Sequence, residues 1–372
     1  MHSLAWLLAA LAALASAQQR RIILDVDGSF DDARAAVLGF NFDPNTEILA
    51  VTCTNSWVSS RQCVLNMHRL LKLIGKTQAA SFSSEPRIFL LSLVQVPIYM
   101  GPNQAILPRK REQWPLDHGA DAFGDEPSAV PRLDEHGVNI PQEPAPMALI
   151  RLSSQFPGEI TVVATGPLTN LATAQILDPY FGSRLKEIYF VGGNIFGVGV
   201  MANNPSSEYN FHMDPEAAYI VLATFTVPMT SLPTETASER INSEVYRLLN
   251  TPVKRDAFFY RNTTTSRFLH AINKNMLDYL DSIGASFGFT DEVAMAAALN
   301  PPGVIVRSKS LVATVELHGE HTRGQVAVDW VNLKKRKNLR VITEYNPRVV
   351  AGMMLKAVDE KTPTVNHGDI RV

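Results

Sequence analysis

Hydrophobic and polar positions alternate in blocks along this chain. Ile22-Ile23-Leu24 is a continuous apolar run that leads into an acidic turn, Asp25 to Asp32, and a helix-like run from Ala33 to Phe40 follows. Glu47 to Cys53 reads as a second strand, ending at Thr54-Asn55-Ser56. Across Val58 to Ile74 the apolar positions Val64, Met67, Leu70, Leu71 and Ile74 recur at three- and four-residue spacing, which predicts a helix that Gly75 stops. Strand, helix, strand, helix in that order is the opening of a parallel sheet with crossover helices.

The alternation is interrupted at Thr77 to Gln95, resumes with a short strand from Val96 to Gly101, and gives way to a polar, proline-punctuated segment from Pro102 to Pro146. A segment of that length reads as a functional lid or as disordered. Regular blocks then return: a helix from Pro146 to Gln155, a strand from Ile160 to Ala164, a turn at Thr165-Gly166-Pro167, a helix from Leu168 to Leu177 and a strand from Glu187 to Val191. Gly192 to Gly199 lacks the lysine of a P-loop and the framing of a dinucleotide fingerprint, so it reads as a flexible loop. After a polar run from Asn203 to Asn210, Asp214 is placed to cap a helix with Pro215 at its first position.

Further on, Phe225 to Ser231 reads as a strand, Ser238 to Leu249 as a helix, and Arg255 to Asp281 as one long helix with an aromatic stripe of Phe258, Phe259, Tyr260 and Phe268. Such a stripe belongs to a core or to a base-stacking lid. Thr290-Asp291-Glu292 opens an alanine-rich helix to Leu299, Leu311 to Leu317, Gln325 to Trp330 and Leu339 to Glu344 read as antiparallel strands, and Pro347 to Ala357 closes as a helix. The expected fold is α/β: an open, mostly parallel central sheet with helices on both faces, Rossmann-like, plus a small antiparallel β addition near the C-terminus. No internal repeat or clean boundary divides residues 20–372, which are expected to form a single domain.

Composition narrows the partners. Of 372 residues, 34 are basic and 36 acidic, so the net charge of -2 points to neither nucleic acid nor an anionic membrane, and a small neutral substrate is easier to accommodate. Residues 1–19 read as a signal peptide, an apolar Leu/Ala/Trp core followed by Ala15-Ser16-Ala17 as a cleavage site, so the protein is expected to be secreted. Only Cys53 and Cys63 occur, which excludes a disulfide-stapled scaffold and leaves open either one bridge or two buried thiols. Asn262-Thr263-Thr264 is a glycosylation sequon.

The chemistry concentrates in Asp25-Val26-Asp27-Gly28-Ser29-Phe30-Asp31-Asp32. Four carboxylates within eight residues repel one another in a low-dielectric pocket, so the turn implies a cation or a group held protonated, and a divalent metal is the simpler answer. The turn follows a strand and precedes a helix, where open α/β sheets carry their ligands. His118, in the glycine-spaced stretch His118 to Asp125, is a loop histidine and by itself weak.

Taken in order, several stretches resemble the calcium-dependent nucleoside hydrolases, which cleave nucleosides to ribose and base. They are the aspartate turn, Thr54-Asn55, Val96 to Gly101, His118-Gly119, Gly166-Pro167-Leu168-Thr169-Asn170, Glu208-Tyr209-Asn210, Asp214 to Ala218 and Thr290-Asp291. The resemblance implies that Asp27, Asp32 and Asp291, with the backbone carbonyl of Thr169, bind Ca²⁺, and that oxygen ligands of this kind suit it. It implies Asp31 as the general base on the attacking water, Asn55, Asn203, Glu208 and Asn210 on the ribose hydroxyls, and Asp25 supporting the cluster from behind. It also implies a homodimer or homotetramer.

This sequence departs from the family's pattern in places. Gly28-Ser29 replaces Pro-Gly inside the cluster, and Thr290 stands where broad-range members carry a histidine. The leaving base then needs another proton source, and His118 or aromatic stacking are the candidates. Thr77 to Gln95 is longer than the family's connection, either a surface insertion or a gene-model artefact. Two other readings compete: an inactive secreted nucleoside-binding relative, and a haloacid-dehalogenase-like phosphatase that would use Asp25-Val26-Asp27 and leave Asp31-Asp32 idle.

Overall fold

The computed structural model describes residues 19–76, 96–108, 119–125, 138, 140–200, 204–237, 256–284, 287–331, 333 and 336–359. The expected signal peptide, the 77–95 stretch and the helix expected at Ser238 to Leu249 lie outside the described residues, as do His118 and Asn203. Ten strands are described: β1 Arg20–Val26, β2 Thr46–Cys53, β3 Ile98–Met100, β4 Ile160–Ala164, β5 Glu187–Val191, β6 Met229–Leu232, β7 Ile305–Leu311, β8 Ala313–Val315, β9 Val326–Val328 and β10 Leu339–Tyr345. The helices that matter below are α1 Phe30–Asn41, α2 Ser60–Leu73, α3 Ala145–Gln155, α4 Thr169–Leu177, α5 Tyr209–Met213, α6 Pro215–Thr224, α7 Thr264–Ser282, α8 Asp291–Leu299 and α9 Pro347–Asp359.

Eight strands form one sheet in the order β3-β2-β1-β4-β5-β6-β10-β7, parallel except for β7, while β8 and β9 make a separate antiparallel pair. Strand alternation divides the apolar side chains of β1 between two cores. Ile22, Leu24 and Val26 pack with α1, α2, α7, α8 and α9, and Ile23 packs with α3, α4 and α6 on the other face. Both faces being covered explains why β1, β4 and β5 each carry consecutive apolar residues, Ile22 to Leu24, Val162 to Ala164 and Ile188 to Val191.

Order in the sheet fixes the site. From β1 the chain moves outward through β2 and β3 in one direction, then returns to the other side of β1 and runs on through β4, β5 and β6. The order reverses between β1 and β4, and an open sheet has its crevice where their carboxyl ends diverge. Thr54 N–H donates to Val26 O and Thr165 N–H to Asp25 O, both at 2.8 Å, so the end of β1 is held from both sides.

Several expectations need correction. The long helix expected over Arg255 to Asp281 is broken: a 3-10 turn covers Ala257–Tyr260, and Thr263 caps α7 by accepting from Ser266 N–H at 3.2 Å. Phe258, Phe259 and Phe268 are core, whereas Tyr260 faces solvent. The strand expected from Phe225 starts only at Met229, because Phe225 terminates α6 and Pro228 offers no N–H. Strand β10 pairs antiparallel with β7 but joins the main sheet parallel to β6, and β7 itself was not expected. Its sequence, Ile-Val-Arg-Ser-Lys-Ser-Leu, is that of an exposed edge strand, whose charged side chains discourage further pairing. Cys53 and Cys63 are buried free thiols, and among the described residues no helix is long and apolar enough to cross a membrane.

Candidate active site

Leaving β1, the chain turns sharply at Gly28, whose φ of +90° suits glycine, and a β-carbon there would meet the Cys63 backbone at 2.6 Å. The positive φ thus falls one residue before the family's glycine position, and Ser29 behind it is extended and caps α1. Asp32, in the first turn of α1, holds this turn closed. Its Oδ2 accepts from the amides of Asp27, Gly28 and Ser29 at 3.1, 2.7 and 3.0 Å, and its Oδ1 accepts from the Thr165 hydroxyl. Gly166 lets β4 approach, since a β-carbon there would come within 2.9 Å of Asp27 Cβ.

Asp31 is the partly exposed carboxylate of the four. Ser29 Oγ donates to its Oδ1 at 2.6 Å and Thr290 Oγ1 to its Oδ2 at 3.1 Å. Asp25 lies wholly buried, its Oδ1 accepting from Thr52 Oγ1 at 2.5 Å and Asn170 Nδ2 at 2.7 Å, while its Oδ2 has no hydrogen-bond partner. A carboxylate so enclosed cannot serve as a phosphatase nucleophile. Asp291 begins α8, which packs on α1. The next residue, Glu292, pairs with Arg34 of α1, whose guanidinium also reaches Asn273 of α7.

On the other side of the crevice, Glu208 precedes α5 and accepts from the amides of Asn210, Phe211 and Gly193 at 2.9, 3.0 and 3.0 Å. Asn210 donates to Thr165 O and Val191 O at 2.9 and 3.0 Å, joining the ends of β4 and β5, and its Oδ1 is buried without a partner. The polar run before Asp214 is therefore partly helical. Thr169 opens α4, and its hydroxyl donates to Asp214 Oδ2 at 2.7 Å. Asp214 caps α6 through Ala217 N–H, as expected. Asn55 lies half-buried after β2, and its neighbour Ser56 hydrogen-bonds Tyr209, which stacks on Trp57 at 4.2 Å. Asn262 lies at the surface, accepting from Arg267.

Gly192 to Gly199 is not a loose loop. Ile195 and Phe196 amides donate to Glu235 at 2.9 and 2.8 Å, and Asn194 bonds Val198 O, Ser206 O and the Val326 amide. Side chains distant in sequence supply those anchors, which is why glycine content alone misled.

The electrostatics follow from burial. Asp27 is pushed well above the ordinary carboxylate range, first by burial and then by Asp32 and Asp31. Asp32 is raised by burial, and Asp291 well raised by burial and then by Asp31, Asp32 and Asp27. Burial raises Asp25 and Glu208 each to about 7. The acidic side of the crevice is thus a place where negative charge is unstable until a proton or a cation arrives.

The description "Inosine-uridine preferring nucleoside hydrolase" belongs to a family whose model matches residues 22–351. The chain belongs to this family. Among relatives, "Probable uridine nucleosidase 2" of Arabidopsis thaliana is 32% identical over 209 residues, 56% of this chain and 57% of that protein. "Inosine-uridine preferring nucleoside hydrolase" of Leishmania major is 26% identical over 86% of this chain and 91% of its own length. The match spans only 57% and 53% of the two Arabidopsis uridine nucleosidases. A solved structure, "Inosine-Guanosine Nucleoside Hydrolase (IG-NH)", superposes with a TM-score of 0.75 at 24% identity, covering 91% of this chain and 98% of that one, which is a likeness of fold.

Membership in a nucleoside hydrolase family implies a metal, and the donor chemistry fits one. Asp27, Asp32 and Asp291 are buried oxygen donors whose pKa values burial raises, Asp32 and Asp31 adding to the rise at Asp27 and Asp291, and hard oxygen donors of this kind suit a divalent cation. Among the described residues no three His, Cys, Asp or Glu side chains already converge on one point. Asp32 explains part of this, because both its oxygens are engaged in closing the turn. Sequence reasoning gave no role to Ser29, Thr52, Thr165 or Asn170, which hold the acidic side chains. Their residue types are common, and only their positions at strand ends and helix starts could have singled them out.

Proposed function

We propose that the protein is a secreted N-ribohydrolase that splits ribonucleosides into ribose and free base, with Ca²⁺ as cofactor. The observation that carries this is the buried aspartate turn at the β1/β4 switch point, with Asp31 as its partly exposed carboxylate and Glu208 and Asn210 across the crevice. Asp27, Asp32 and Asp291, with the Thr169 carbonyl, would hold the metal. When bound, calcium supplies a hard positive centre that orients oxygen ligands and lowers the pKa of coordinated water.

The chain's own residues do the rest. Glu208, Asn210, Asn55 and Asn203 bind the ribose hydroxyls, and the unpartnered Asn210 Oδ1 is an acceptor ready for one of them. Asp31 takes a proton from the attacking water, whose oxygen bonds to the anomeric carbon as the carbon–nitrogen bond breaks and the base leaves with the electron pair. Positive charge on the ribose in that transition state is stabilised by the surrounding carboxylates. The base gains its proton from a donor other than an imidazole at position 290.

Export follows from the signal-like residues 1–19, and assembly as a dimer or tetramer is part of the same proposal. N-terminal sequencing of protein recovered from the medium checks the first, and light scattering the second. The activity is tested by incubating purified protein with inosine, adenosine and uridine, with and without a chelator. Calcium-dependent base release is expected from at least one. Release from none would overturn the hydrolase reading and favour the binding-only relative instead.

A further inference from the structure

Two of the departures from the family pattern meet on one carboxylate. Ser29, one half of the Gly28-Ser29 replacement, donates to Asp31 Oδ1 at 2.6 Å, and Thr290, in the histidine position, donates to Asp31 Oδ2 at 3.1 Å. Ser29 has a single hydroxyl proton and a second acceptor within reach, Asp32 Oδ2 at 3.1 Å. That oxygen already accepts three amides and lies farther away, so the proton goes to Asp31. Each hydroxyl is itself held. Ser29 is buried at the start of α1, with its amide on Asp32, and Thr290 precedes α8, with its amide on Glu292 at 3.2 Å. Glu292 is in turn paired with Arg34 of α1, so the two donors are carried by helices locked to one another.

We propose that Ser29 and Thr290 are positioning residues that together fix the plane of the Asp31 carboxylate and so aim it at the attacking water. The proposal rests on the reading of Asp31 as the base of a nucleosidase. A short carboxylate at the start of a helix otherwise turns freely about its terminal bond, and a base is effective only while a lone pair points at the proton it removes. Hydroxyl donors on both oxygens, one from the turn before α1 and one from the start of α8, remove that freedom. Bonds to a charged acceptor are the stronger kind, so each is expected to matter. The site thereby uses position 290 to orient the base, where an imidazole would be available to the leaving group.

The test compares the parent with Ser29→Ala, Thr290→Val, the double variant and Thr290→Ser. With a nucleoside that the parent cleaves, kcat is expected to fall about tenfold in each single variant and about 100-fold in the double, with KM within about threefold. Thr290→Ser restores the hydroxyl and should stay within about twofold of the parent. Calcium affinity by calorimetry should move by less than about threefold throughout, because neither hydroxyl is assigned to the metal. Crystal structures should show the Asp31 carboxylate rotated in the double variant and unmoved in Thr290→Ser. Full kcat in the double variant, no rescue by serine, or an unmoved carboxylate in the double variant would each overturn the proposal. If the parent cleaves no nucleoside, the hydrolase reading fails, and the crystal comparison still decides whether these hydroxyls hold Asp31.

Discussion

Two groups of buried charge lie side by side at the carboxyl end of the sheet, and they are built on opposite principles. Arg34 and Glu292 meet in a direct ion pair, with Asn273 satisfying a further guanidinium N–H, and all three are buried. Asp27, Asp32 and Asp291 are equally buried among like charges, and each has its pKa raised. The first arrangement satisfies its charges within the chain. The second gathers like charges, which burial and mutual repulsion both disfavour. Burial alone therefore does not distinguish the two groups; the gathering of like charge does, and the ion pair beside it acts as scaffold.

The sharpest way to break this contrast is to remove one member from each side. Asp31→Ala should lower kcat by about 10²- to 10⁴-fold, the usual worth of a positioned base, while calcium affinity measured by calorimetry largely survives. Parent-rate hydrolysis by that variant would move the base elsewhere. Arg34→Ala should act on stability instead. It strands Glu292 in the core and is expected to cost about 3–5 kcal/mol in urea unfolding, because an unpaired buried charge is far costlier than the pair is beneficial. A loss below about 1 kcal/mol would mean that water reaches Glu292, and the scaffold reading would fall.

The same contrast explains what could be read from the sequence. Strands β1, β4 and β5 and the aspartate turn were legible, because apolar runs with both faces covered and four clustered acids are local signals. Arg34 and Glu292 are 258 residues apart, and nothing local announces that they meet. Thr165 and Asn170 could be placed only as turn and helix start, yet they clasp Asp32 and Asp25. Edge strand β7 was lost to its polar sequence, and the single helix expected from Arg255 was interrupted by a cap whose effect depends on one hydroxyl, Thr263. Ser29 and Thr290 were visible only as departures from a pattern; their common target, Asp31, needed the fold.

Calcium should act on the unpaired side alone. If Asp27, Asp32 and Asp291 hold it, adding the ion raises the melting temperature and a chelator reverses the gain, since a ligand bound only by the folded state stabilises it. Asp291→Asn should weaken calcium binding by about 100-fold, as expected when one charged oxygen ligand of a hard cation is lost. Without the ion the same substitution relieves repulsion and should raise stability. That change of sign sharpens the comparison, because no substitution in the Arg34–Glu292 pair should show it. Equal effects of Asp291→Asn with and without calcium would take Asp291 out of the metal set.

Glu208 tests the middle ground, a buried carboxylate with three backbone amides on its oxygens. Burial outweighs those donors and raises its pKa from 4.5 to about 7. The folded state therefore binds a proton more tightly than the unfolded chain. Its contribution to stability is complete below about pH 4.5 and is lost as the pH rises through about 7. Between pH 5 and pH 8 this single group should account for ~2 kcal/mol of declining stability in the calcium-free protein. Glu208→Gln cannot titrate, so its urea midpoint should fall less over that range than the parent's. It should also begin lower at pH 5, because its amide must face one of the three N–H donors. Parallel pH profiles for parent and variant would show that Glu208 stays ionised throughout, satisfied by its amides in the way Glu292 is by Arg34.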